Sequence, residues 1–159
     1  MGPDPRDGLR EPRHVIAVDT NLLVYAHRED SAWHDPAFSQ LLALAEGRAP
    51  WAVPWPCVHE FLAIVTHPRI FAPPTPLESA LDQVDAWLEA PSLIVLPEAD
   101  GYWPVLRGIV SEGRITGPQV HDARVAALCR LHGIRELWTA DRDFSRFTGL
   151  SIRNPLLPG

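Results

Sequence analysis

The sequence predicts an α/β fold with a mostly parallel central sheet. Short apolar runs alternate with longer amphipathic segments along the chain, and Pro or Gly residues separate many of them. The expected strands are residues 15–18, 51–53, 93–96, 137–139 and 150–153. Because ligands bind outside the carboxyl ends of strands in such sheets, the residues that follow each strand are the first candidates for a functional site.

The segments between these strands have the apolar spacing and the end signals of helices. Proline opens the second and third helices, where a missing backbone N–H costs nothing. Thr20 or Asn21 is expected near the N-cap of the first helix. Glycines follow the second, fifth and sixth helices, as is common at helix C-termini. The expected helices cover residues 22–27, 36–46, 56–66, 77–89, 102–112 and 117–132.

Length and composition predict one globular domain. The chain has 159 residues, of which 46% are hydrophobic, and this is enough apolar material for a buried core. Residues 1–14 are rich in Pro, Asp and Arg and are expected to form a flexible tail ahead of a domain over residues 15–159. Cys57 and Cys129 lie among apolar neighbours and are expected to be buried, reduced thiols. The sequence shows neither an apolar run of about 18 residues nor a secretory signal, so we expect a cytoplasmic protein without a membrane span.

Four acidic residues from distant segments are expected to meet at one edge of the sheet. Asp19 directly follows the first strand, and Asp141 lies two residues after the fourth. Glu60 and Asp122 lie in early turns of their helices, where the chain has just left the same edge, and Asp143 is a candidate fifth member. Each residue alone has an ordinary explanation as a turn former, a cap or a solvated side chain. The acidic residues taken together are a more specific sign of a functional site than any one of them alone.

Converging carboxylates restrict the chemistry. Two of them about 4 Å apart repel by about 4 kcal/mol at an effective dielectric constant of 20, so such a cluster raises its pKa values or binds a cation. Oxygen ligands favour Mg²⁺, with Mn²⁺ able to substitute. The chain has no Lys, which argues against receiver domains, haloacid-dehalogenase-like phosphatases and P-loop enzymes, and it lacks a Gly-x-Ser-x-Gly motif. Metal-assisted hydrolysis of a phosphodiester fits the remaining residues.

The ordered motifs resemble those of PIN-domain proteins over residues 15–155. The chain is most similar to VapC toxins of bacterial type II toxin–antitoxin pairs, which are single PIN domains of this size. The resemblance implies a three-layer α/β/α PIN-like fold. The matching segments are VIAVDTNLLVYA around Asp19, the mid-chain helix with Glu60, VHDA around Asp122, and TADRDF around Asp141 and Asp143.

The resemblance also implies an activity, partners and site residues. It implies an Mg²⁺-dependent endoribonuclease that hydrolyses structured RNA, such as tRNA or rRNA, by metal-activated water. It further implies a homodimer and a cognate VapB-like antitoxin whose tail enters the cleft. Asp19 and Asp122 would be the principal metal ligands, with Glu60 and Asp141 completing the catalytic set and Asp143 in support. The polar positions expected to steady these carboxylates are Thr20, Asn21 and Thr139.

Two alternatives remain open at this point: a non-catalytic PIN-like module that binds RNA or protein, and a nuclease directed at DNA. A complete acidic set argues against the binding module, because a surface that binds a polyanion would not retain a negative cluster. Arg28, Arg124 and Arg142 adjoin the site motifs and are candidates for RNA phosphate contacts. Surface salt bridges explain each of the three equally well.

Overall fold

The structure is a computed structural model, and it describes residues 14–158. The predicted tail, apart from His14, lies outside the described residues. Within the described part of the chain, no helix has the length and apolar character needed to cross a membrane.

The predicted parallel sheet is confirmed, and each predicted strand is correct to within one residue at either end. Five strands pair in the order β3-β2-β1-β4-β5, and every neighbouring pair is parallel. Helices pack on the sheet as a three-layer α/β/α arrangement, as expected. The strands are β1 (Ile16–Val18), β2 (Trp51–Pro54), β3 (Leu93–Leu96), β4 (Glu136–Trp138) and β5 (Ser151–Arg153).

The predicted helices are correct to within two residues at either end. α1 begins at Thr20 because Asp19 serves as its N-cap, with the carboxylate accepting a hydrogen bond from the Thr20 N–H. Gly117 has a φ of +63°, so the last helix begins only after it. The helices are α1 (Thr20–His27), α2 (His34–Glu46), α3 (Trp55–Val65), α4 (Leu77–Leu88), α5 (Tyr102–Gly113) and α6 (Gln119–Leu131).

A 3₁₀ helix over Arg142–Arg146, which the sequence analysis did not foresee, follows β4. Asp141 caps this helix by accepting a hydrogen bond from the Asp143 N–H at 2.9 Å. The fourth strand ends at Trp138, one residue earlier than predicted, so Thr139 lies just outside the sheet. The segment after β4 is therefore turned back over the sheet edge rather than extended away from it.

The core lies between the sheet and its helices. Trp51 from β2, Phe61 from α3 and Phe144 from the 3₁₀ helix are among the largest fully buried side chains. The wide apolar arc predicted for α6 is confirmed, because residues 125–129 are all buried. Cys57 and Cys129 are both buried free thiols, as expected. Burial of this kind fixes α3 and α6, which carry two of the candidate acids, against the sheet.

The strand order places a crevice at the carboxyl ends of β1 and β4. From β1 the chain builds β2 and β3 on one side of the sheet, and later β4 and β5 on the other. Connections that leave neighbouring strands in opposite directions open a ligand-binding crevice at such a point. Val18 pairs with Trp138 in the β1–β4 register, so Asp19 and Thr139 leave the sheet side by side. The Asp19 N–H donates to the Trp138 carbonyl at 3.0 Å.

Candidate active site

Asp19 is the most deeply buried acid at this crevice, with only 6% of its surface exposed. Its carboxylate accepts hydrogen bonds from the Thr20 N–H at 2.8 Å and from the Thr139 hydroxyl at 2.8 Å. Burial raises the pKa of Asp19 to about 6, and these two hydrogen bonds limit the rise. A carboxylate held in this way is costly to charge without a positive partner.

The Thr139 hydroxyl joins the ends of β1 and β4. It donates to Asp19 and accepts from the Asn21 amide at 3.1 Å and from the Asp141 N–H at 3.0 Å. The Asn21 carbonyl oxygen in turn accepts from the Ala140 N–H at 3.2 Å. Two of the three predicted supporting residues therefore lock together segments separated by more than one hundred residues of sequence.

Glu60 reaches the same crevice from α3. The third supporting residue, Thr20, donates its hydroxyl to the Glu60 carboxylate at 3.0 Å. Glu60 is exposed, and its negative charge contributes to the raised pKa of Asp19. The structure thus places Glu60 beside Asp19, with Thr20 in contact with both residues.

Asp122 belongs to the first turn of α6, and Asp141 caps the 3₁₀ helix that follows β4. Partial burial raises the pKa of Asp122, and the neighbouring charges of Asp141, Glu60 and Asp143 raise it further. The positive charge of Arg146 acts in the opposite direction and lowers the pKa of Asp122. The side chains predicted from four separate segments therefore influence one another electrostatically at one edge of the sheet.

The carboxylates share this edge but do not crowd together. Among residues 14–158, no three His, Cys, Asp or Glu side chains stand close enough to hold one metal ion as they are arranged. Mutual repulsion explains why charged carboxylates keep apart. The donors themselves fit a hard divalent cation, since all are carboxylate oxygens and the most buried one has a raised pKa. The metal-ligand roles of these acids stay predictions.

Two residues at the site were not foreseen. The Cys57 thiol lies 3.5 Å from the Asp19 carboxylate, although the sequence suggested only a core role. Its position three residues before Glu60 was an available signal, because residues at i and i+3 share a helix face. Arg146 is held by the Asp143 carbonyl oxygen at 2.9 Å and lies 3.9 Å from the Asp143 carboxylate. No local sequence signal placed Arg146 near Asp122.

The three arginines proposed to contact RNA differ in their surroundings. Arg28 forms an ion pair with Asp30 and lies over the Phe71 ring, 4.2 Å from its centroid. Arg124 donates to Glu98 at 3.3 Å. Arg142 is exposed and lines a cleft of about 320 Å³ beside Asp141. Arg28 and Arg124 thus have partners within the chain, and all three RNA contacts stay predictions.

Comparison with known proteins agrees with this geometry. The PIN domain family model matches residues 16–150. Ribonuclease VapC48 of Mycobacterium tuberculosis strain H37Rv is 34% identical over 137 residues, which cover 86% of this chain and 94% of that protein.

Solved structures show the same fold. VapBC2 from Rickettsia felis superposes with a TM-score of 0.64 at 19% identity, covering 88% of this chain and 98% of that chain. VapC20 of Mycobacterium tuberculosis gives a TM-score of 0.60 at 20% identity, covering 82% and 92%. Family match, close relatives and fold agree: the chain belongs to the PIN-domain family and is a relative of the VapC ribonucleases.

Proposed function

We propose that this chain is a divalent-metal-dependent endoribonuclease and the toxin of a toxin–antitoxin pair. The observation that carries the proposal is the polar network that holds the buried Asp19 carboxylate where the strand order reverses. Glu60, Asp122 and Asp141 lie around it. The ribonuclease name of VapC48 supports the same activity for this relative.

Asp19 and Asp122 are proposed as the principal ligands of Mg²⁺ or Mn²⁺, with Glu60 and Asp141 completing the set and Asp143 in support. A bound divalent ion supplies positive charge against phosphate oxygens and lowers the pKa of water. Because the carboxylates stand apart as arranged, binding a cation would draw them inward. Burial favours this change, since a carboxylate with a raised pKa gains most from a positive partner.

Structured RNA, such as tRNA or rRNA, is the proposed substrate. VapC20, which shares the fold, is described as a toxin that cleaves the sarcin–ricin loop. In the proposed reaction, a water oxygen bonds to phosphorus in line with the leaving oxygen, the bond from phosphorus to that leaving oxygen breaks, and the water gives up a proton; the RNA 2′-hydroxyl does not act as the nucleophile. A single 2′-deoxy substitution at the scissile nucleotide should therefore leave cleavage nearly unchanged. Loss of cleavage on that substrate would instead indicate transesterification through the 2′-hydroxyl.

A VapB-like antitoxin and a second copy of the chain are the proposed protein partners, in the cytoplasm. The structural neighbour from Rickettsia felis is described as VapBC2 bound to a DNA fragment from their promoter. Exposed large apolar side chains on α2 and α4 support a protein partner, because such surfaces usually mark interaction sites. They are Phe38, Leu42, Leu77, Leu81 and Leu88.

The central test combines RNA cleavage with metal binding. The purified chain should cleave a labelled tRNA or rRNA stem-loop in Mg²⁺ or Mn²⁺ and not in EDTA. Asp19→Asn and Asp122→Asn should each abolish cleavage and weaken Mn²⁺ binding in calorimetry. Asp82→Asn is the matched control, because Asp82 is an exposed acid on α4. Near-normal turnover in either site variant would refute the assignment.

The same experiment separates the two alternatives. A non-catalytic module would bind the RNA without cleaving it and would bind no Mn²⁺ in calorimetry. A DNA-directed nuclease would cleave single-stranded DNA of the same sequence at least as fast as the RNA. The proposal predicts Mn²⁺ binding that depends on Asp19 and Asp122, together with a preference for RNA.

A further inference from the structure

Charge is distributed unevenly along this acidic chain. Residues 14–100 hold three arginines and twelve acids, whereas residues 101–159 hold eight arginines and five acids. The first part therefore carries a formal charge of −9 and the second +3. The net charge of −6 for the whole chain therefore includes a basic part, residues 101–159, that contains α6, β4 and β5.

Two adjoining clefts lie in this basic part of the chain, between α6 and the segment that joins the 3₁₀ helix to β5. One, of about 330 Å³, is lined by Arg130 and Arg135, and the other, of about 220 Å³, by Arg130 and Arg146. Arg130, Phe147 and Thr148 line both clefts, so the two clefts adjoin at these side chains. We call the pair the arginine cleft, defined by Arg130, Arg135 and Arg146.

The arginine cleft extends from the amino-terminal edge of the sheet, where Arg135 precedes β4, to Arg146. Arg146 lines the cleft, and its guanidinium lies 3.9 Å from the carboxylate of Asp143, so this side chain joins the cleft to the acidic site. Its guanidinium is oriented by the Asp143 carbonyl oxygen at 2.9 Å. A chain of phosphates bound along the cleft would therefore reach Arg146, which contacts Asp143 at the edge of the acidic site.

Arg130 is held in place by a hydrogen bond, and both Arg130 and Arg135 are exposed. Arg130 donates to the Thr148 carbonyl at 2.9 Å, which fixes its side chain across the groove without neutralising its charge. Within residues 14–158, neither Arg130 nor Arg135 forms a salt bridge, and both are exposed. One acid, Glu112, is among the lining residues, so positive charge prevails in the cleft.

We propose that the arginine cleft binds the phosphate backbone of the RNA and leads it to the acidic site. The inference rests on the proposed function in one respect, that the substrate is RNA. An acidic site repels a polyanion, so a nuclease of negative net charge needs an oriented basic surface beside it. Arg130 also lies in the last turn of α6, where a cation offsets the helix dipole. That explanation covers Arg130, and the contacts with Asp143 account for Arg146, but neither explains Arg135.

The test measures RNA binding without cleavage. The full chain carrying Asp19→Asn binds a fluorescent RNA stem-loop in EDTA, and anisotropy gives the Kd over a range of salt concentrations. Arg130→Gln with Arg135→Gln should raise the Kd about tenfold or more. The slope of log K against log salt should fall in magnitude by about 1.4, which corresponds to two lost phosphate contacts.

Two matched pairs control for charge and folding. Arg48→Gln with Arg69→Gln removes the same charge from exposed positions outside the cleft and should leave the Kd within about twofold. Arg130→Lys with Arg135→Lys keeps the charge and should retain most of the salt slope. Thermal melting confirms that each variant is folded before binding is measured.

The outcomes separate this inference from the proposed function. If the wild type cleaves RNA but both glutamine pairs weaken binding equally, the cleft proposal is wrong and the nuclease proposal stands. If the cleft variant binds RNA normally but loses self-association in sedimentation, the cleft is a protein interface and the inference is overturned. If the wild type neither cleaves nor binds RNA, both proposals fail.

Discussion

Replacing Thr139 with valine removes one hydroxyl group at the junction of β1 and β4 and keeps nearly the same shape. Thr139 is 1% exposed, so water cannot replace the lost hydroxyl. The change deletes the hydrogen bond to Asp19 at 2.8 Å and removes the hydroxyl that accepts from the Asn21 amide and the Asp141 N–H, leaving Asn21 only its longer bond to Asp19 at 3.4 Å. The substitution therefore changes the side-chain volume little but removes three hydrogen bonds.

The magnitude depends on the charge of Asp19. A hydrogen bond to a charged group contributes about 1.5–3 kcal/mol, and one between neutral groups about 1 kcal/mol. The pKa of Asp19 is about 6, so the carboxyl is mostly charged at pH 7.5 and mostly protonated at pH 4.5. We expect Thr139→Val to lower the free energy of unfolding by about 2–3 kcal/mol at pH 7.5 and about 1 kcal/mol at pH 4.5. A loss of about 2 kcal/mol lowers the Tm by roughly 4–8 °C in a chain of this length.

The assay is urea unfolding followed by circular dichroism, in EDTA, at both pH values. Thr116→Val is the control, because Thr116 is exposed in the loop before α6. It should change the free energy of unfolding by less than about 0.5 kcal/mol. Equal losses for Thr139→Val at the two pH values would refute the reasoning, because the Asp19 charge would then play no part.

Two further predictions concern the same carboxylate. The pKa of Asp19 rises from 3.8 to about 6 on folding, so the folded state holds a proton that the unfolded state has released between these pH values. In EDTA this group should therefore lower the free energy of unfolding by about 3 kcal/mol as the pH rises from about 3 to 7. Urea titrations of wild type and Asp19→Asn isolate its share, and parallel pH profiles for the two proteins would contradict the prediction. The second concerns the buried thiols: Cys57→Ser should be tolerated, because the new hydroxyl faces Asp19, whereas Cys129→Ser should cost about 1–3 kcal/mol. Urea midpoints measure both, and an equal cost for the two serines would show that the contact between Cys57 and Asp19 has no energetic role.

The sequence predicted the types and the limits of the elements well, because those signals are local. The apolar spacing of α3 and α6 and the alternation of short strands with helices each lie within a few turns of chain. Thr139, predicted as strand, lies just outside it: its N–H still donates to the Arg153 carbonyl of β5, while its hydroxyl bonds Asp19 and Asn21 beyond the strand end. The order of the acidic motifs along the sequence likewise predicted the PIN-domain family, which the family match confirms.

The amino-acid sequence alone determined that this protein has an α/β fold in which acidic residues follow strands or lie in the early turns of helices. Only the tertiary structure decided that β4 lies beside β1, so that a hydroxyl at position 139 reaches a carboxylate at position 19. The same packing brings the Cys57 thiol within 3.5 Å of the Asp19 carboxylate and Arg146 within electrostatic reach of Asp122. The physical reason is that periodicity reports which face of an element is buried, whereas the pairing of strands separated by more than one hundred residues depends on how all the buried faces pack together.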